Sequence, residues 1–553
     1  MQSGVTLHNR LKQLLIRHLP WLVLLVVLLL SAVVRYGLLN VPLERDEGEY
    51  AYGGQLLLQG ILPYEQIYNM KLPGIYVAYA GILAVFGQTH RGIHFGLLLI
   101  NAISIVLIFM LAKQLVDSLA GVVAAASFAV LSISQSVQGV FANAEHLVIL
   151  PVVGGLLLLL RALDDDQSWL IFFSGLLLGI GFLIKQHGAA FIAFGGMYVL
   201  IDQIRKDSVD WFALVSRCVI FIIGAVLPYG LTCLVFFFAG LFEKFWFWTV
   251  EYAGVYISQV PIERIWSIFL YRTVSVIKSN PLIWVLVYFG LAALIWDKRL
   301  KRKSMFIAGF ALFSFLAICP GFYFRPHYFI FTLPAAALLV GIAISALANK
   351  LSNVHSAFVQ YGLPILIIAS FLTISVYHQR KFLFQMSPME ISRATYGHDP
   401  FPESLEIAKF IREHTKENDT IAVIGSEPQI YFYSGRHSAT GHIYMYGLAG
   451  EHKFALQMQE ELVQEIESAQ PKFIVFVKIG SSWGKRLDAH KILYPWFQEY
   501  HSKYYKLVGL VDYVDAKPIY HWAPNKIGQA QSDYWISILE RKNEVIQSLR
   551  DSI

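Results

Sequence analysis

Three carboxylates stand at the mouth of the first apolar run of this chain: Asp46, Glu47 and Glu49, in "RDEGEYAYGGQLLLQGILPY", residues 45–64. Carboxylates are costly to take out of water, so such a cluster beside an apolar run has one of two meanings. It can be the solvated acidic first turn of an interfacial helix, favoured by the helix dipole. Alternatively it can serve chemistry, because a carboxylate of ordinary pKa is already ionised near neutral pH and can take a proton. Tyr50 and Gln55 follow at helical spacing, and Lys71, in "NMKLPGIY" (69–76), brings a cation into the same loop. Lys71, Arg91, Lys185 and Arg325 all fall in connections that the span count below places on one side. Each alone reads equally well as a snorkelling interfacial side chain. Four of them around the face that carries the acidic cluster point to an anion site.

The elements that must position these groups are membrane helices. Hydrophobic residues make up 56% of the 553 and charged residues only 15%, far from a soluble domain of this length. A bilayer core needs roughly 20 apolar residues per helix, and the first such stretch is "WLVLLVVLLLSAVVRYGLL" (21–39). It follows Arg10, Lys12 and Arg17 and is too long for a signal-peptide core, which predicts a retained signal anchor with a cytoplasmic N-terminus. Further apolar segments recur near 95–112, 118–133, 145–160, 169–184, 188–201, 214–239, 282–296, 304–319, 328–347 and 357–376, which makes about 11 transmembrane helices. The segment "IYVAYAGILAVFG" (75–87) is apolar but short. Counting it as a span would move "KRLKRK" (298–303), Arg205 and Lys206 to the outside, against the positive-inside tendency. It is therefore predicted to be re-entrant or interfacial within one external loop, 40–93. Residues 1–377 then form the membrane domain, and an odd span count places 378–553 outside the cytoplasm.

In that tail, "PESLEIAKFIREHT" (402–415), "DTIAVIGS" (419–426), "EELVQEIESA" and "KFIVFVKIG" (472–480) alternate helix and strand, which predicts a small α/β domain with a parallel sheet. Its "VIGSEP" lacks the glycine spacing of a dinucleotide site. The net charge of +6 sits mostly in cytoplasmic loops and gives no argument for nucleic acid. Cys218, Cys233 and Cys319 lack metal-ligand spacing and read as small buried core residues. The aromatic loop "FEKFWFWTVEYAGVYISQ" (242–259) fits an interfacial Trp and Tyr belt, or a stacking surface for a sugar or a groove for a polyprenyl chain.

The ordered set resembles the GT-C superfamily of polyprenyl-phosphate-sugar glycosyltransferases, and most closely the branch of protein O-mannosyltransferases and lipid A aminoarabinose transferases. The residues that carry the likeness are Asp46-Glu47 after the first span, Lys71-Leu72-Pro73-Gly74 in place of the commoner Lys-Pro-Pro-Leu, "FANAEHLVILP" (141–151), "FLIKQHG" (182–188) and "FRPHYFIFTLPA" (324–335). The resemblance implies that Asp46 is the general base, with Glu47 orienting the acceptor or fixing the loop. A departing lipid phosphate needs fixed cations. Lys71 is the first candidate, Arg325 with His327 the second, and Lys185 and Arg91 stand behind them. Tyr50 joins the substrate-binding set. Glu145 with Asn143 could contact the sugar or a divalent cation, Mg or Mn, although no His or carboxylate cluster demands one. The implied partners are a polyprenyl-phosphate-linked sugar and a protein, lipid or glycan acceptor. A transporter or flippase of a lipid-linked sugar is the alternative, and its ionisable residues would lie mid-span rather than crowd one face.

Overall fold

The computed structural model describes residues 2–205, 208–354, 356, 358–484, 492–515, 517–522 and 528–542; Lys206 and the side chains of Arg10, Lys12 and Arg17 lie outside the described set. In chain order, α1 (Gln2–Gly37) leads into a long connection that holds α2 (Arg45–Leu58) and α3 (Gly74–Phe86). Then follow α4 (His90–Leu115), α5 (Ser118–Leu131), α6 (Ala144–Asp164), α7 (Ser168–Ile184), α8 (Ala189–Ile204) and α9 (Trp211–Phe238). The aromatic segment forms α10 (Phe242–Trp246), a π-helical stretch at Phe247–Tyr252 and α11 (Ala253–Ile257). After it come α12 (Ile262–Ser279), α13 (Pro281–Trp296), α14 (Ser304–Leu316), α15 (Leu333–Lys350) and α16 (Leu363–His378).

Every apolar segment read from the sequence is a helix. Among the described residues seven helices are long and apolar enough to cross a bilayer, and α3, α5, α7 and α14 are shorter apolar helices. The eleventh segment is α13, which is bent by 105° from α12. That bend leaves α12 as an element the hydropathy reading passed over, because its apolar residues are periodic rather than continuous. The three cysteines are only partly buried, not core residues as expected.

Contacts between connections sort the two ends of the bundle. At one end Arg299 reaches Asp117 (3.4 Å), Lys303 and Gln114 both reach Asp164 (3.1 Å each), Ser345 bonds Asp117 and Arg217 bonds Asp166. These are the connections read as cytoplasmic. At the other end Gln186 Nε2 donates to the Met70 carbonyl (2.7 Å), Ser136 and Ser279 share a hydrogen bond (2.8 Å), and Lys244 donates to the Tyr68 hydroxyl (3.0 Å). The short apolar helix α3 does not change ends: Lys71 before it bonds Asp46, while Gln88 after it accepts from Gln55 (2.9 Å). Among the described residues ten apolar helices, α4–α9 and α13–α16, separate the first loop from the tail, and both lie at the same end.

The tail carries a five-stranded sheet of order β1-β2-β5-β3-β4, from β1 (Ile421–Ile424), β2 (Phe473–Lys478), β3 (Tyr505–Val514), β4 (Lys517–His521) and β5 (Trp535–Arg541). Only β1 and β2 are parallel, which corrects the expectation of a parallel sheet. A helical crossover, Ala455–Ala469, joins that pair and permits the parallel arrangement, whereas β3 and β4 are joined by a tight turn at Asp515 (φ 50°), which forces an antiparallel pair. The domain sits directly on α2. A side chain at Gly48 would collide with the Gln429 backbone at 2.6 Å, so glycine there permits the close approach.

Candidate functional site

The helix that carries the carboxylates is fixed by a reciprocal cap. Glu44 accepts from the Glu47 amide (3.0 Å), and Glu47 Oε2 accepts from the Glu44 amide (3.1 Å), so two orphan donors of the first turn are satisfied. The other oxygen of Glu47 accepts from the Ala142 amide (2.5 Å) and faces His94 Nε2 (2.9 Å), whose Nδ1 lies 3.2 Å from the Leu39 carbonyl. Glu47 is fully buried and does not reach the cavity described next. It joins α2 to the connection before α6, which is the loop-fixing half of its expected role.

Above α2 lies a cavity of about 1330 Å³, walled by Asp46, Tyr50, Lys71, Lys185, Arg325 and His327, among others. Lys71 Nζ donates to Asp46 Oδ1 (2.8 Å) and to Glu49 Oε2 (2.7 Å), and it stands 4.4 Å from the centre of the Tyr50 ring. Glu49, fully buried behind the lysine, also accepts from Tyr76 (2.5 Å). Burial opposes the charge on Lys71, and Asp46 and Glu49 outweigh it, so the ammonium is held more firmly than in an ordinary lysine. Burial also favours neutral Asp46, but Lys71, with His327 and Lys185 nearby, holds this carboxyl well below the usual carboxylate range. For Glu49 burial prevails and the pKa is raised. Two acids on one lysine are thus shifted in opposite directions, Asp46 downward and Glu49 upward.

A second buried pair repeats the pattern. Lys185 bonds Glu145, which has no exposed surface, and the lysine stands 4.5 Å over the Tyr328 ring. Glu145 therefore acts on the cavity through Lys185. Asn143 is buried beside it without facing the cavity, and its amide nitrogen has no hydrogen-bond partner. His327 Nδ1 lies 2.9 Å from Gln138 Oε1, and Arg325 donates to the Tyr256 hydroxyl (3.2 Å). Arg91 is not brought to the site: it is exposed and donates to Tyr36 (3.2 Å) at the end of α1. The aromatic segment turns Trp248, Tyr252 and Tyr256 to the cavity while Trp246 stays exposed, so it contributes to both the wall and the surface. Among the described residues no three His, Cys, Asp or Glu side chains converge to hold a metal, and Glu145 is already bonded to Lys185.

The tail contributes a wall that the sequence reading did not assign. Tyr444 donates to Asp46 Oδ1 and the Arg45 carbonyl (3.1 Å each), and Arg45 binds Asp399 and Glu427 (3.3 Å each) and the Ser426 carbonyl (2.6 Å). Asp46 Oδ1 thus receives Lys71 and Tyr444 together, and among the described residues Oδ2 has no hydrogen-bond donor.

This architecture is shared with ArnT from Cupriavidus metallidurans. Its apo structure superposes with a TM-score of 0.57 at 14% identity, covering 93% of this chain and 97% of that one. The same protein bound to undecaprenyl phosphate gives 0.56 at 15% identity and the same coverage. The chain has the GT-C fold. The archaeal oligosaccharyltransferase AglB from Archaeoglobus fulgidus, in complex with an inhibitory peptide and a dolichol-phosphate, is similar to this chain with a TM-score of 0.52 at 13% identity, covering 93% of this chain and 75% of that one. Residues 71–229 match the family described as dolichyl-phosphate-mannose-protein mannosyltransferase, a stretch that holds Lys71, Glu145 and Lys185 and begins after Asp46. By sequence, no curated protein matches the chain. The solved structures share the fold, the family match covers part of the helix bundle, and the apolar helices are those of a multi-pass membrane protein.

Proposed function

We propose that the protein is an integral membrane enzyme that moves a sugar from a polyprenyl-phosphate carrier to an acceptor hydroxyl at the outer face of the cell membrane. The observation that carries this reading is the meeting of Asp46 and Lys71 on the wall of one cavity. Asp46 Oδ2 takes the acceptor proton as the acceptor oxygen attacks the anomeric carbon, and the bond from that carbon to the phosphate oxygen breaks with its electron pair leaving on the phosphate. Lys71, with Arg325 and His327, stabilises that departing charge. One direct attack inverts the anomeric centre, so a β-linked donor gives an α-linked product. The pairing also couples the two halves. While Lys71 is bound to Asp46 the carboxylate is a weak base, and a phosphate that draws Lys71 to itself raises the basicity of Asp46. Polyprenyl phosphate as the donor class is supported by the undecaprenyl phosphate and dolichol-phosphate bound in the similar ArnT and AglB structures. A cytoplasmic N-terminus and an extracytoplasmic tail are supported by the basic connections at the far end of the bundle.

The test is to incubate the purified protein with a panel of polyprenyl-phosphate sugars and membrane extract, and to identify the product by mass spectrometry. Transfer by wild type that is lost in Asp46→Asn and Lys71→Met, with both variants still folded, is the expected result. Full activity in both variants would overturn the mechanism. Uptake of the lipid-linked sugar without any covalent product would favour the transporter.

A further inference from the structure

The amphipathic helix α12 forms one wall of the cavity and has two faces of opposite character. Ile262, Trp266, Leu270 and Val274, four residues apart in series, are 78, 65, 42 and 43% exposed and make an apolar stripe pointing away from the protein. Arg272, Ser275 and Ser279 on the opposite face line the cavity, as does Lys278, where the i, i+4 series turns polar at the end of the helix. A helix with this division, sharply bent from the span that follows, lies in the membrane interface with its stripe in the acyl boundary. The cavity therefore opens beside the lipid headgroups.

The ion pairing on the cavity wall is uneven. Arg45 is neutralised by Asp399 and Glu427, Lys71 by Asp46 and Glu49, and Lys185 by Glu145. Arg325, Arg272 and Lys278 have no carboxylate within ion-pair distance among the described residues; Arg325 bonds only a tyrosine hydroxyl, and Arg272 stacks on Tyr271. A sugar phosphodiester brings a single negative charge, and Arg325 is the unneutralised cation that stands with His327 at the centre. The two cations on α12 have no carboxylate partner among the described residues. The wall between them and the centre is polar: Ser279 bonds Ser136, and two residues on Gln138 bonds His327.

We infer that Arg272 and Lys278 form a second anion subsite, and that the acceptor is a membrane lipid with an anionic headgroup that enters along α12. The inference rests on the glycosyl-transfer reading and deepens it. The apolar stripe keeps the helix at headgroup depth, the two cations take the headgroup anion, and the serines lead its hydroxyl toward Asp46.

The experiment gives the full-length protein a labelled polyprenyl-phosphate sugar and three acceptor pools: acidic membrane lipids and neutral membrane lipids, separated by anion exchange, and membrane protein. Label is expected in the acidic lipids. R272Q/K278Q is expected to raise the acceptor concentration for half-maximal rate about tenfold, the loss of one to two charge-assisted contacts. Binding of undecaprenyl phosphate, the donor-side probe, is expected to change less than twofold. Label in neutral lipid or in protein overturns the inference and leaves transfer standing. So does a double variant that weakens undecaprenyl phosphate binding as much as Lys71→Met. If wild type labels none of the three pools, the glycosyl-transfer reading fails and the inference falls with it.

Discussion

The two ends of the helix bundle both carry ion pairs between connections, and they use them differently. At the end read as cytoplasmic, Lys303–Asp164 and Arg299–Asp117 lie at the surface, with side chains 26 to 49% exposed, where water screens them. At the other end Lys71 and Lys185 pair with glutamates that have no exposed surface, beneath a soluble domain that closes over them. The first set staples loops. The second sets two glutamates with no exposed surface against lysines, an arrangement that is expensive unless it is used or fully paired. The contrast teaches that ion pairing alone does not mark a site in this molecule, whereas burial of the pair beside a cavity does.

The largest effect expected from breaking the buried end is at Asp46 and Lys71. Asp46→Asn keeps the shape and removes the base, and turnover is expected to fall by about 10²–10⁴. Lys71→Met is expected to cost about 10²–10³, and it also gives a pH signature. In wild type the depressed pKa of Asp46 keeps the carboxyl charged through the usual carboxylate range. Wild type should therefore show no acid limb from this group. Without Lys71, burial is the dominant remaining influence and raises the pKa, so the rate of Lys71→Met should fall as pH drops through the carboxylate range. A pH–rate profile of the residual activity decides this, and a flat acid side in the variant refutes the pairing.

Next comes Lys185. Lys185→Met leaves Glu145 buried without a partner, a loss expected to destabilise by about 3–5 kcal/mol. Adding Glu145→Gln should recover much of that stability in thermal unfolding without recovering activity. A double variant no more stable than the single would show that the glutamate had found another partner. A smaller effect is expected from Tyr444→Phe, which removes one hydrogen bond to Asp46 Oδ1. Turnover should fall about tenfold with undecaprenyl phosphate binding unchanged, as for a neutral donor to a charged acceptor. An unchanged turnover would mean that the tail only covers the site.

How much of this was legible follows from the range of each contact. The eleven apolar segments and the sidedness of α3 were readable, because hydropathy is local and the basic connections constrain the span count. Lys71 was readable too, since it lies in the same loop as Asp46. Tyr444 was not, because it meets Asp46 across 398 residues and nothing in the local sequence marks it. Glu49 stood in the opening cluster, but its burial behind Lys71 depends on α3 folding back against α2. Arg91 failed for the reverse reason: the count puts it at the right end of the bundle, and only the packing of α4 shows it turned to Tyr36. The last three strands joined a mixed sheet because their pairing is antiparallel and set by a turn outside the helix-strand rhythm that suggested a parallel one. In α12 the i, i+4 stripe was present in the sequence, but a search for continuous apolar runs does not find an interfacial helix.

The smallest effect belongs to the other end. Lys303→Ala removes a pair whose partners are 26 and 49% exposed, so screening leaves it worth about 0.5 kcal/mol or less. Transfer activity should stay within twofold of wild type and thermal unfolding should barely move, with the small difference shrinking further as salt is added. A large loss of activity in this variant would mean that the two ends of the bundle are coupled, and the division between stapling and working ion pairs would have to be abandoned.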